Sequence, residues 1–316
     1  MATLTQRIGF WMDPIESITP YKDTTFALML AAQDLGHEVV YLPKHGLAID
    51  QGVACGQMQR AQLVDQDHDF VTLSEPTFEP LTTLDVIMIR VDPPFDSEYL
   101  YATHLLERAE RAGVRVINRP HAIRDCNEKL FATEFAHLMP NTLVTADPKA
   151  ISAFHASTGD LILKPLDGMG GSGIFRVRED GLNLGSILES LSPNGQRLVM
   201  AQAYRPEIVD GDRRVLVLHG KPLTHVLARI PKEGETRGNL AAGGRGVALP
   251  ISEAERAIAE EVAPRLIELG LSFVGLDVIG GHLTEINVTS PTCVREIDAQ
   301  TGSRIAHDFF TALFNQ

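Results

Sequence analysis

The sequence predicts two architectures in succession: a doubly wound parallel-sheet α/β domain, then an α+β domain built on antiparallel sheets. Three observations carry that expectation. Strand and helix patterns alternate up to about residue 120, strand patterns dominate from Asp160 onward, and 316 residues exceed what one small core needs.

In the first part, Arg7–Met12 (RIGFWM) reads as a strand, followed by a loop rich in Pro and Asp. TTFALMLAAQDL reads as a helix closed by Gly36, and HEVVYL as the next strand. The same grammar recurs in LDVIMIR (Leu84–Arg90), the helix YLYATHLLERAERA stopped by Gly113, and the strand VRVIN. Strands alternating with helices of this length imply a parallel sheet covered on both faces. RDCNEKLFATEFA then reads as a helix opening on an Asp125/Glu128 capping box. Beyond it come LILKPL, GIFRV, LVMAQAY, RRVLVLHG, PLTHVLARI, SFVGLDVIG and HLTEINV, all strand-like. One long helix interrupts them, SEAERAIAEEVAPRLIELG, with Ser252 as N-cap, Glu255 at the third position and Gly270 at the stop. The expected boundaries are 1–123 for the first domain and 124–316 for the second, itself divided into 124–203 and 204–316.

Bulk properties exclude several classes. A net charge of −13 argues against general binding to nucleic acid or to anionic membrane. No apolar run reaches the length of a spanning helix, and the first residues lack a signal-peptide pattern. Cys55, Cys126 and Cys293 are widely spaced, form no C-x-x-C motif, and read as reduced thiols of a cytoplasmic protein.

LILKPLDGMGGSGIFRV contains G-x-G-x-x-G at Gly168, Gly170 and Gly173. A dinucleotide site needs a helix after that motif, and here a strand pattern follows. A glycine loop joining two antiparallel strands can instead fold over phosphates, because its N–H groups approach without an intervening Cβ. Lys164, emerging from an apolar strand just before the loop, favours phosphate over a plain hairpin turn. Neither the kinase motifs nor a G-x-x-x-x-G-K-[ST] loop is present.

FVGLDVIGGHLTEINV reads as a hairpin turning at Gly280-Gly281. Glu285 and Asn287 share a face because side chains alternate along a strand. A two-residue turn would pair Asp277 with Thr284 and point it away from Glu285. A three-residue loop, Gly280–His282, pairs Asp277 with Glu285 and gathers all three oxygen-bearing side chains; this is the expected form. Two carboxylates and an amide suit Mg²⁺, a hard cation that also takes phosphate oxygens; the alternative is a solvated polar face. Between these two motifs, Arg229–Gly246 holds five glycines and three arginines without hydrophobic periodicity. Next to a phosphate site it reads as a mobile cover for a water-sensitive intermediate. An RNA-binding arm would need interleaved aromatics and a basic surface.

Taken together, Lys164-Pro-Leu-Asp-Gly-Met-Gly-Gly, Asp277…Glu285-Ile-Asn287 and the glycine–arginine stretch resemble the bacterial glutathione synthetases, a branch of the ATP-grasp ligases. MDPI, RVDPPFDSEYLYAT, RDCNEKLF, GDRRVLV and TEINVTSPTC extend the resemblance, in family order, over essentially the whole chain. It implies ATP-dependent joining of γ-glutamylcysteine to glycine through an acyl phosphate, with Mg²⁺ or Mn²⁺ as cofactor and a homotetrameric assembly. Residue by residue it implies ATP contacts at Lys129, Lys164, Gly168, Gly170, Gly171, Gln202, Tyr204 and Asp212. Metal ligands would be Asp277, Glu285 and Asn287. Arg214, Arg229 and Arg245 would stabilise transferred phosphate and the tetrahedral intermediate, and Ser290, Pro291 and Thr292 would meet the peptide. Arg205 departs from the pattern, standing where family members often carry an aliphatic residue. Arg90 ends an apolar strand at the sheet edge where ligands bind, so it meets a substrate carboxylate or else forms a surface salt bridge. Cys126 and Cys293 read as packing residues. Two competitors are another ATP-grasp amine ligase with a different acceptor, and a non-catalytic nucleotide binder resembling the synapsins.

Overall fold

A computed structural model describes residues 5–232, 238 and 243–315. Its first sheet contains β1 (Arg7–Met12), β2 (Glu38–Pro43), β3 (Leu47–Asp50), β4 (Val53–Leu63), β5 (Val71–Leu73), β6 (Thr77–Pro80), β7 (Val86–Ile89) and β8 (Arg115–Ile117). The order β3-β4-β2-β1-β7-β8 has a parallel centre, β2-β1-β7-β8, as the sequence implies. β4 turns the sheet antiparallel and carries β3, β5 and β6, an extension that strand–helix alternation did not signal.

Alternation along the central strands divides the core between two faces. Ile8, Phe10, Val39, Tyr41, Val86 and Met88 face α1 (Thr24–Asp34); Trp11, Val40, Leu42, Ile87 and Ile89 face α2 (Ser97–Arg111). Both helices start on an aspartate whose carboxylate accepts an N–H: Asp23 from Phe26 and Asp96 from Tyr99.

Within residues 120–203 lie α3 (Pro120–Asp125), β9 (Thr142–Thr145), α4 (Pro148–Thr158), β10 (Leu161–Pro165), β11 (Phe175–Val177), α5 (Leu184–Leu191) and β12 (Val199–Ala203). The four strands form one antiparallel sheet, β11-β10-β12-β9. The helix expected over residues 124–136 is not continuous. α3 stops at Asp125, and a 3-10 segment runs from Phe131 to Leu138. Asn127 competes with the helix: its Oδ1 accepts the N–H groups of Lys129 and Leu130. Glu128 caps nothing and reaches across to the loop after residue 287 instead.

From residue 212 onward come β13 (Asp212–Leu218), β14 (Lys221–Pro222), β15 (His225–Ile230), β16 (Arg245–Pro250), α6 (Glu253–Leu269), β17 (Phe273–Ile279), β18 (His282–Asn287), α7 (Val294–Thr301) and α8 (Ile305–Phe314). The sheet order is β16-β15-β13-β17-β18, with β14 on β13. α6 carries the expected reciprocal capping box between Ser252 and Glu255 and ends at a left-handed Gly270. The last helix returns to the first sheet. Phe309, Phe310 and Leu313 of α8 share a core with α1 and the strand face beneath it, so the chain's end closes its beginning.

The glycine–arginine stretch is not loop throughout. Arg229 lies in β15 and pairs with Gly246 of β16, while Ile230 pairs with Arg245. The expectation of a moving cover falls on residues 233–237 and 239–242, outside those described.

Candidate active site

The β17–β18 hairpin turns through two residues, Gly280 and Gly281, both at positive φ, with Ile279 opposite His282. The three-residue loop expected from sequence is therefore absent. The pairing it was meant to produce is present all the same. A register shift after Val278–Leu283 skips Thr284 and sets Asp277 opposite Glu285, with Gly275 opposite Asn287. A β-bulge does this by adding one residue to one strand, which returns the following side chain to the required face. Thr284 holds the irregularity by donating from Oγ1 to the Asp277 carbonyl at 3.1 Å. Asn287 Nδ2 donates to Gly275 O at 3.1 Å.

β10 delivers Lys164 to the same place, and the loop after it turns back at Gly170, Gly171 and Gly173, all at positive φ, into antiparallel β11. Lys129 Nζ donates to Gly168 O at 2.7 Å, tying the loop to the 3-10 segment's approach. Both ammonium groups face one carboxylate: Lys129 lies 3.6 Å and Lys164 3.7 Å from Glu285 Oε1. Burial pushes the Lys164 ammonium down, and Glu285 opposes that shift.

A cleft of about 800 Å³ sits over these residues. Ile162, Ile174, Ile208 and Ile279 provide apolar wall, and Gln202, Tyr204, Asp212 and Gly168–Gly171 add polar groups. Gln202 Nε2 donates to Thr142 Oγ1 at 3.1 Å, and the Arg176 guanidinium covers the Tyr204 ring at 3.6 Å from its centroid. Arg205 also lines the cleft, bonded through Nη2 to Glu207 at 2.9 Å, while its buried Nε has no partner among the described residues.

A second, larger cavity of about 1470 Å³ meets the first along Gly168–Gly170, Asp277 and Glu285. Arg214 grips Asp277 with two bonds, 2.6 Å from Nε and 3.2 Å from Nη2, and Arg229 Nη2 lies 2.9 Å from the same carboxylate. Arg229 also bonds Asp212. Burial opposes ionisation of Asp277, but the two arginines outweigh it and hold its carboxyl well below the usual range. Burial dominates at Asp212, which is pushed up to about 6 despite Arg229. One buried carboxylate is thus held anionic, and its neighbour takes up a proton more readily than an ordinary aspartate.

Arg90 lines the second cavity with Ser290, Pro291 and Thr292. It is buried, donating to Thr25 Oγ1 and Pro291 O at 3.0 Å each, which removes the surface-salt-bridge alternative. Ser290 Oγ donates to Asp92. Cys126 and Cys293 are buried, free and pushed up by burial, Cys126 to about 11; each packs in a core cluster, and Cys293 also lines the second cavity. One expected site residue stands apart. Arg245 is exposed at the start of β16 and lines neither cavity, because its strand runs along the far edge of the sheet from β17 and β18.

Sequence reading missed two supports. Glu128 Oε1 accepts from Val288 N at 3.1 Å, Thr289 N at 3.3 Å and Thr289 Oγ1 at 2.8 Å. Asn118 uses its whole amide, donating to Phe273 O and Val288 O and accepting from the N–H groups of Ser272 and Phe273. Nothing local in the sequence points to either, since every partner is more than 150 positions away.

A glycine hairpin with two lysines, facing a bulged carboxylate hairpin across a cleft, defines an ATP-grasp ligase. Two family models divide the chain: the prokaryotic glutathione synthetase N-terminal domain matches residues 6–124 and the ATP-grasp domain of the same enzyme residues 128–302. The chain belongs to the prokaryotic glutathione synthetase family. It is 52% identical over 307 residues to the glutathione synthetase of Shewanella oneidensis, covering 97% of this chain and 98% of that one. It is 53% identical over 310 residues to that of Pseudomonas aeruginosa, covering 98% of each. Among solved structures it resembles D-cycloserine synthetase DcsG, with TM-score 0.68, 17% identity and coverage of 98% and 99%. It also resembles the ATP-grasp ligase PsnB complexed with minimal precursor, Mg and ADP, with TM-score 0.62, 19% identity and coverage of 98% and 97%. At such identities the last two speak for the fold alone.

Proposed function

We propose that this chain ligates γ-glutamylcysteine to glycine with ATP, releasing glutathione, ADP and phosphate. The observation that carries the residue assignment is the bulged register that sets Asp277 opposite Glu285 where two lysines and two cavities meet.

The first cleft takes ATP. Isoleucine walls and Tyr204 suit a purine, while Lys129, Lys164 and the N–H groups of Gly168, Gly170 and Gly171 suit its phosphates. Gln202 and Asp212 complete the nucleotide wall. Asp277, Glu285 and Asn287 fit a divalent cation of the Mg²⁺ or Mn²⁺ type: two carboxylates and an amide leave positions for phosphate oxygens. Such a cation would draw charge from the transferring phosphate.

The second cavity takes the peptide. Arg90, Ser290, Pro291 and Thr292 hold it with its reacting carboxylate toward Asp277 and Glu285. That carboxylate attacks the γ-phosphorus of ATP and ADP departs; the glycine ammonium gives up a proton to solvent, its amine adds to the acyl carbon, and the adduct expels phosphate as the nitrogen loses a second proton. Arg214 and Arg229 are fixed by Asp277 before substrate arrives, so they meet the developing oxyanion without reorganising. Arg245 contributes only if its strand end shifts toward the cleft. We also propose a cytoplasmic homotetramer, in keeping with the three free cysteines; light scattering should give about four times 34.6 kDa.

The test is ADP and peptide formation with ATP, a divalent cation, γ-glutamylcysteine and glycine, each omitted in turn. Product that requires all four supports the reading. ADP release indifferent to both the peptide and glycine would overturn it.

A further inference from the structure

The ligation reading above leaves one group without a place: the ammonium of the incoming amino acid, which must come to rest beside the activated carboxyl carbon. Near the phosphates, the second cavity is lined by three carboxylates, Asp277, Glu285 and Glu128. The first two are engaged by arginines and lysines and suit the metal. Glu128 differs. All three of its hydrogen bonds fall on Oε1, from Val288 N and from the Thr289 N–H and hydroxyl. Among the described residues its Oε2 has no protein donor.

Glu128 also stands where a third cavity, of about 500 Å³, joins the second; the two share Pro93, Glu128, Gly168 and Thr289. Pro93, Phe95, Ile123 and Leu166 make compact apolar walls there. The charged groups are Arg124, bonded to Glu107 at 2.7 Å, Asp167, bonded to Arg197 at 2.8 Å, and Glu128. A guanidinium together with a carboxylate oxygen free of protein partners complements a small zwitterion. Glu296 also lines the second cavity, with a buried Oε2 that has no partner among the described residues, and its electrostatic neighbours are Lys22 and Asp23 at the α1 end together with Arg214. It lines the second cavity alone, so it does not combine an open carboxylate oxygen with the small third compartment.

We propose that Glu128 Oε2 receives the ammonium of the acceptor amino acid at the mouth of the third cavity, while Oε1 holds the loop following the metal-binding strand. The assignment rests on the ligation reading. Glu128→Gln separates the two roles, because its amide oxygen can keep the bonds of Oε1 while an NH₂ replaces the ammonium acceptor. Glycine KM should rise about 10- to 100-fold, the loss of one charge-assisted hydrogen bond, with the KM values of γ-glutamylcysteine and ATP unchanged within about 2-fold. Hydroxylamine is uncharged at neutral pH and needs no such partner. It should trap the acyl phosphate as hydroxamate at the wild-type rate in Glu128→Gln, and Glu128→Asp should recover part of the glycine affinity.

Three results would overturn the assignment: an unchanged glycine KM, hydroxamate formation falling in step with glycine ligation, or Glu296→Gln raising glycine KM in place of Glu128→Gln. Failure of the unaltered enzyme to join γ-glutamylcysteine to glycine is a separate outcome, overturning the ligation reading and this assignment with it.

Discussion

At the scale of single residues, the site is a balance of buried charge. Asp277 and Glu285 face each other, yet they contribute differently to stability. Asp277 compensates two buried arginines, so Asp277→Asn would strand them, at about 3–5 kcal/mol for a broken buried pair. Glu285 is more accessible and contacts its lysines at 3.6 and 3.7 Å, so Glu285→Gln is the cleaner probe of metal binding. That variant should fold normally, lose at least about 100-fold in ligation rate, and require more divalent cation for half-maximal rate. A metal titration of activity beside a melting curve checks both parts.

Asp212 gives a pH signature. Its folded pKa, about 6, lies above the ordinary 3.8, so between these values the native state holds a proton that the unfolded chain has released. Stability from this group is full below pH 3.8 and falls as pH rises through about 6. Asp277 has the opposite sign: its contribution is present above the ordinary 3.8 and fades only as pH drops toward its depressed folded value. Asp212→Asn should therefore flatten the dependence of Tm on pH between about 4 and 7. An unchanged slope would remove Asp212 as its source.

At the scale of elements, irregularity positions function. β18 needs its bulge at Thr284 because a regular two-residue turn would place Asp277 and Glu285 on opposite faces. The alternation of side chains places Glu285 and Asn287 on one face and leaves Asp277 to the turn, for which a three-residue loop is the expectation. Alternation does not say whether turn length or a bulge brings Asp277 to that face, since both repair the same one-residue mismatch. The broken helix at residues 124–136 follows the same logic. Local pattern favoured a capping box, but Asn127 closes a turn on Lys129 and Leu130, and that turn frees Glu128 to reach the loop at 288–289. α8 shows the reverse case, an element whose purpose is packing. Phe310 is fully buried and touches Phe10, Phe309 and Phe314 edge-on or stacked. Phe310→Ala should cost about 3–5 kcal/mol in denaturant unfolding, typical of a large aromatic truncated in a core.

At the scale of the whole molecule, the first sheet and the last one are joined by a shared apolar core and by well-satisfied polar contacts. Asn118, at the end of β8, meets four backbone groups of β17 and the chain after β18. Arg90 bridges from β7 to Pro291, and α8 packs back beneath α1. The second cavity, proposed for the peptide, lies within this junction, so its shape depends on how the two parts dock. Asn118→Ala would leave those donors and acceptors buried without partners, each costing about 1–3 kcal/mol. The expected result is a lower Tm together with a raised peptide KM, measured against an ATP KM that moves less. Equal shifts in both would place the effect outside the junction.

Sequence by itself determined the elements whose cause is local. Alternating apolar residues set the central parallel strands, glycines that tolerate positive φ set the hairpin after Lys164, and Ser252 with Glu255 set the start of α6. It also determined the family, because the motif residues occur in one order along nearly the entire chain. Tertiary structure decided everything carried by partners distant in sequence: the bulge that brings Asp277 to Glu285, the burial that makes Arg90 part of a cavity, the exposure that keeps Arg245 out of it, and the reach of Glu128 and Asn118. These depend on which buried polar groups find a partner once the sheets have docked. A window of neighbouring residues holds no information about a hydrogen bond that closes across 150 positions.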